Sequence, residues 1–132
     1  MSAVVDASLP LAALTDAGPR GDWAASILRL RGLTAPHLLP AEVTNVLRRL
    51  ELTRQLSRLE AGAAARDLAR FDIQLHPFAP FAERIWQLRA NVTSYDAWYV
   101  AIAEAFDLPL ATLDGRLAHA PGPRCRFLLP PA

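Results

Sequence analysis

A chain of 132 residues, 52% of them hydrophobic, is long enough to bury one core and too apolar to be disordered. Charge nearly balances, 14 basic residues against 13 acidic, so bulk charge alone does not mark a nucleic-acid binder. No apolar run approaches the roughly 18 residues that cross a bilayer, and one cysteine excludes an internal disulfide; both point to the cytoplasm, with neither leader nor membrane anchor.

Residues 3–6, A-V-V-D, fit a buried strand ending on Asp6. Ser8 is expected to cap a short helix over 9–15, with Pro10 in its first turn. An amphipathic helix is predicted over 22–31, with Trp23, Ile27 and Leu30 on one face and Gly32 as its stop. Residues 33–39 read as a short strand and loop held by Pro36 and Pro40. Pro40 then opens a helix that carries Glu42 in its first turn, near the positive end of the helix dipole. Val43, Val46, Leu47 and Leu50 form its apolar stripe, and Asn45 and Arg49 follow Glu42 at spacings that keep them near its face.

An alanine-rich helix over 57–71 is followed by a strand at 73–76 and a helix over 81–88. Thr93 caps the next, longer helix, and Asp96 falls three residues on. A strand at 110–113 ends beside Asp114, Gly115 turns the chain, one helical turn covers 116–118, and a last strand covers 126–129. Strands alternate with helices, so the expected fold is α/β: a three-layer α/β/α sandwich around a short parallel sheet, with residues 1–132 forming a single domain.

Topology then brings four acids together. Ligands of open parallel sheets bind outside the carboxyl ends of the strands, where strand order reverses. Asp6 and Asp114 end two predicted strands, and Glu42 and Asp96 begin two helices at that same rim. Two carboxylates about 5 Å apart repel by roughly 3 kcal/mol at an effective dielectric near 20. Such a group either takes up protons or holds a cation. An all-oxygen donor set suits Mg²⁺, with Mn²⁺ close behind. Each acid also has a competing explanation: a capping partner at Asp96, an Asp-Gly turn at Asp114, a dipole-complementing charge at Glu42.

Four pieces, V-V-D-A-S at 4–8, P-A-E-V-T-N-V-L at 40–47, Y-D-A-W-Y-V-A-I-A-E at 95–104 and P-L-A-T-L-D-G-R-L at 109–117, resemble in order and spacing the PIN-domain ribonucleases, specifically VapC-like toxins of bacterial toxin–antitoxin pairs. The resemblance implies that Asp6, Glu42, Asp96 and Asp114 form the family's catalytic, metal-binding quartet. It matches Thr112 to the hydroxyl of the T-x-D motif, and Ser8 and Asn45 to polar residues beside the metal. It further implies RNA cleavage with Mg²⁺ or Mn²⁺, a cognate VapB-like antitoxin, and assembly as a homodimer or toxin–antitoxin hetero-oligomer. Some members carry another acid after the last aspartate, where this chain has Gly115 and Arg116.

Other chemistries fit less well. A haloacid-dehalogenase-like phosphatase wants an aspartate where Ser8 stands, and a response-regulator receiver needs a lysine, whereas every basic residue here is an arginine. A PIN-like module kept for protein binding, with cleavage lost, is the alternative from another functional class. Trp23 and Trp86 read as core. His37, His76 and His119 read as surface residues, and Trp98 and Tyr99 as candidate base-stacking groups. Arg48, Arg49 and Arg116 are candidates for contact with the RNA backbone or the partner.

Overall fold

The computed structural model describes residues 2–132. Strand β1 (Val4–Val5) leads to helices α1 (Ser8–Thr15) and α2 (Pro19–Leu28), then to β2 (Leu33–Pro36), α3 (Leu38–Leu52) and α4 (Arg58–Leu68). After β3 (Ile73–His76) come a short 3₁₀ turn at Ala79–Phe81, α5 (Ala82–Gln87) and α6 (Ser94–Phe106). The chain closes with β4 (Leu110–Ala111), α7 (Gly115–His119) and β5 (Phe127–Leu128).

All strand pairs are parallel, in the order β3-β2-β1-β4-β5. The chain steps outward from β1 to β3 and then crosses back to β4 on the other side of β1. Right-handed crossovers, the rule for parallel strands, put α1–α4 and α5–α6 on opposite faces, and the helices group accordingly, α1 packing on α2, α3 and α4, and α5 on α6. The expected three-layer α/β architecture is thus observed, and its switch point lies between β1 and β4. Among the described residues, no helix is long and apolar enough to cross a membrane.

Small side chains let the layers approach. In α6 the buried residues Ala97, Ala101 and Ala103 alternate with Tyr99, Val100 and Ile102, and this helix packs on β1, β2 and β4. Ala3, Ala35 and Ala111 are fully buried in the sheet beneath. Gly21 serves the same end between α1 and α2: a Cβ there would stand 1.8 Å from the Asp16 carbonyl oxygen and 2.9 Å from that of Ala12. Backbone cannot yield as a flexible side chain can. Gly21→Ala is therefore expected to cost about 3 kcal/mol, at the upper end of overpacking penalties, seen as a lowered urea midpoint with an unchanged slope.

Several local boundaries differ from the sequence reading. Helix α2 starts at Pro19, three residues early, because proline is preformed for a first helical position. Helix α3 starts at Leu38, so Pro40 is its third residue, where a missing N–H still leaves no intrahelical bond unmade. Glu60 is exposed and also completes a capping box with Ser57: Ser57 N–H to Glu60 Oε1 at 2.9 Å and Glu60 N–H to Ser57 Oγ at 3.0 Å. Trp86 is 65% exposed rather than core, with the Arg89 guanidinium 4.3 Å from its ring centre. His76 is half-buried against Phe81 and Phe106, whereas His37 and His119 are exposed as expected.

Candidate functional site

The switch point is closed by a hydroxyl clamp. Asp6 directly follows β1 and Thr112 directly follows β4; both are buried. Asp6 Oδ1 accepts the Ser8 N–H at 3.0 Å and the Ser8 hydroxyl, and Oδ2 accepts the Thr112 hydroxyl. Each hydroxyl also accepts a backbone N–H, that of Leu113 at 3.0 Å on Ser8 Oγ and that of Asp114 at 2.9 Å on Thr112 Oγ1. Both hydroxyl protons are thereby committed to Asp6. Ser8 is not the helix cap: Ala7 occupies that position, with no side-chain capping bond, and Ser8 is the first residue of α1.

Burial pushes the Asp6 carboxyl up to about 6; the Ser8 and Thr112 donors oppose this, and the charge of Asp96 adds to it. Oδ1 has both lone pairs engaged, whereas Oδ2 keeps one for a ligand.

Asp96 stands in the first turn of α6. Thr93 caps that helix, accepting the Asp96 N–H at 3.1 Å, as the sequence leads one to expect. The reciprocal carboxylate-to-backbone bond that Glu60 makes to Ser57 does not form at Asp96 among the described contacts. Asp96 thus completes no reciprocal capping box, although as a first-turn acid it complements the helix dipole. The Asp96 carboxyl is raised above its ordinary value, first by burial and then by Asp114, with the Thr93 hydroxyl opposing.

Glu42 lies in the second turn of α3, not the first, because the helix begins two residues before Pro40. Its Oε1 accepts the Tyr99 hydroxyl at 2.6 Å across from α3 to α6. Burial raises its pKa, the Tyr99 bond lowers it and Asp96 raises it again, for a net rise. Asp114 is exposed and does perform the turn role: it caps α7, with Oδ1 accepting the Arg116 N–H at 2.9 Å and the Leu117 N–H at 3.4 Å. Its Oδ2 accepts no bond among the described residues. Asn45 is exposed on α3 and bonds none of the acids.

Asp96 is the electrostatic hub. Its charge is felt at Asp6 and at Glu42, and it feels that of Asp114. Among the described residues no three His, Cys, Asp or Glu side chains stand close enough together to hold one ion as placed. Shared ligation therefore requires side-chain rotation. Asp96, whose carboxylate makes no capping bond to backbone, can supply it, since Asp6 is clamped, Glu42 is tethered and Asp114 Oδ1 is held as the α7 cap. The donor set fits a hard divalent cation: oxygen only, partly buried, and with no arginine among the groups that shift Asp6, Glu42 or Asp96.

The sequence reading missed Tyr99 as a partner of Glu42. It is 1% exposed, which rules out base stacking in this conformation. Its position three residues after Asp96, on the same helical face, was the available signal. Trp98 is half-buried against Phe78, with its indole N–H unpartnered. Arg20 on α2 also reaches the rim, its guanidinium 3.4 Å from the Leu113 carbonyl.

Comparison with known proteins accords with this geometry. The chain is 46% identical to Ribonuclease VapC1 of Mycobacterium tuberculosis over 96% of each protein. It is 37% identical to VapC ribonuclease Mb0985 of Mycobacterium bovis, over 97% of this chain and 98% of that one. The crystal structure of VapBC2 from Rickettsia felis with a promoter DNA fragment shares the fold at a TM-score of 0.68 and 12% identity, covering 98% of both chains. The PIN domain model matches residues 3–123, and with these relatives the chain belongs to the PIN-domain family, in its VapC branch.

Proposed function

We propose that this chain is a metal-dependent endoribonuclease and the toxin of a toxin–antitoxin pair, with residues 1–132 acting as one nuclease domain. The observation that carries the reading is the placement of Asp96, within electrostatic reach of Asp6, Glu42 and Asp114. These acids come from four separate parts of the sequence, in a chain 46% identical to a named ribonuclease.

Asp6, Glu42, Asp96 and Asp114 would hold Mg²⁺ or Mn²⁺. Such a cation, when bound, lowers the pKa of water and offsets negative charge on the phosphoryl oxygens. Asp6 offers the spare lone pair of Oδ2 from a fixed position. Glu42 Oε2, opposite the oxygen that Tyr99 engages, would face the cation directly or through a water that it orients for attack. Water adds to phosphorus and gives up a proton to solvent, the P–O bond to the leaving ribose oxygen breaks, and that oxygen takes a proton from solvent. Ser8 and Thr112 hold Asp6 in place, and Asn45 is assigned to the substrate side. Arg20 and Arg116 flank the turn formed by Leu113 and Asp114, where cationic groups suit an RNA backbone.

An antitoxin partner is inferred from the relatives. The exposed apolar residues Leu52, Leu59 and Tyr95 are consistent with assembly through an antitoxin or a second copy of this chain.

Purified protein, freed of any antitoxin, is expected to cleave RNA with Mn²⁺ or Mg²⁺ and to stop when the metal is chelated. Asp96→Asn is expected to lower the rate by on the order of 10³-fold, with an unchanged circular dichroism spectrum. A wild type that cuts nothing across a broad RNA panel would favour a binding module instead.

A further inference from the structure

We infer that Tyr99 is a positioning residue for the metal site, acting through Glu42; this rests on the nuclease reading above. Tyr99 is the largest of the fully buried side chains, yet its hydroxyl is aimed at a single acceptor, Glu42 Oε1, 2.6 Å away. An ordinary phenol, with a pKa of about 10, is a neutral donor near neutral pH.

Geometry makes the bond directional. Glu42 is only half-buried and sits one turn inside α3, with a flexible three-bond side chain that would otherwise sample solvent. Holding Oε1 fixes the carboxylate plane and leaves Oε2 with both lone pairs free for a ligand, beside one on Oε1. Tyr99 projects from the same helix face as Asp96, three residues on. One helix therefore supplies both an acid and the tether of a second acid from α3. A buried phenol that served packing alone would be as well made from phenylalanine, which has no polar atom to satisfy.

The test is a double-mutant cycle read by Mn²⁺ binding, using calorimetry or the quenching of the free-Mn²⁺ paramagnetic resonance signal, with no RNA present. Tyr99→Phe keeps the ring and removes only the donor. It is expected to weaken Mn²⁺ about 10-fold, as losing a ligand's supporting bond does. In a Glu42→Ala background the same change is expected to do nothing further. With RNA, the Tyr99→Phe loss of kcat should be recovered in part at high Mn²⁺, with KM for RNA unchanged.

An equal loss in both backgrounds would show that the hydroxyl acts on the fold or on another acid, and would overturn the inference. No loss in either background would overturn it too. If wild-type protein binds no Mn²⁺, the metal-site reading itself fails and takes the inference with it. If wild type binds and Glu42→Ala binds equally well, only the role given to Glu42 and Tyr99 falls.

Discussion

Replacing Asp6 with asparagine is expected to abolish cleavage and, at pH 7, to make the metal-free protein more stable. The first effect follows from losing the one carboxylate that the fold holds rigidly at the switch point; a fall on the order of 10³-fold or more is expected. The second follows from burial. A carboxyl lifted from 3.8 to about 6 carries a penalty of about 3 kcal/mol when ionised. The raised folded-state value means that stability is fully present below about pH 4 and lost as pH rises through about 6. Asparagine has no charge to strip of water. Its amide oxygen can accept both Ser8 donors and its amino group can donate to the second lone pair of Thr112 Oγ1, but the buried Thr112 hydroxyl proton then loses its acceptor, which offsets about 1 kcal/mol of the gain.

The gain in Asp6→Asn is therefore expected to reach about 2 kcal/mol at pH 7 and to vanish near pH 4. Urea titrations at several pH values in chelator measure it. Added Mn²⁺ should restore the balance in the wild type alone, raising its melting temperature above pH 6 while leaving Asp6→Asn unmoved.

Thr112→Val should damage both fold and catalysis. Valine fills the same fully buried space, so no cavity forms. What disappears is the donor to Asp6 Oδ2 and the acceptor of the Asp114 N–H. One buried carboxylate oxygen and one backbone N–H lose their partners together. At about 1–3 kcal/mol for each stranded group, a loss of about 3 kcal/mol is expected in denaturant titrations. Activity should fall between about 10- and 100-fold, because Asp6 keeps its Ser8 bonds while Asp114 loses the anchor of its turn. Thr112→Ser should recover most of the activity, since it restores both hydrogen bonds. A valine variant as stable and active as wild type would mean that the clamp is incidental.

Much of this site was legible because sheet topology, more than side-chain detail, carries it. Asp6 and Asp114 were placed by the ends of β1 and β4, Asp96 by the Thr93 cap, and Glu42 by its helix. Failures came where one residue type serves two geometries. A serine two residues after an aspartate reads as a cap, yet Ser8 bonds backward to Asp6 and forward to Leu113, and a partner 105 positions away cannot be seen in a local window. Asp114 reads as either turn former or site acid, and its two oxygens leave room for both roles. Pro40 marked a helix start two residues late because proline is accepted throughout a first turn. Tyr99 was hidden by its own burial: local pattern does not distinguish an aromatic that packs from one that also points a hydroxyl at a carboxylate. Trp86 shows the converse, since a large apolar residue is assigned to the core by default, and only the packing of α5 reveals which side faces water.

The bond from Thr112 to Asp6 spans 106 positions, and this has a consequence for biosynthesis. Ribosomes add roughly 5–20 residues per second, so the aspartate leaves the ribosome about 5–20 s before the hydroxyl that will secure it. Throughout that interval the nascent polypeptide carries neither the clamp nor Asp114. A clamp built this way closes only after residues 112–114 have emerged, so the switch point stays incomplete while the segment between its two halves is being made.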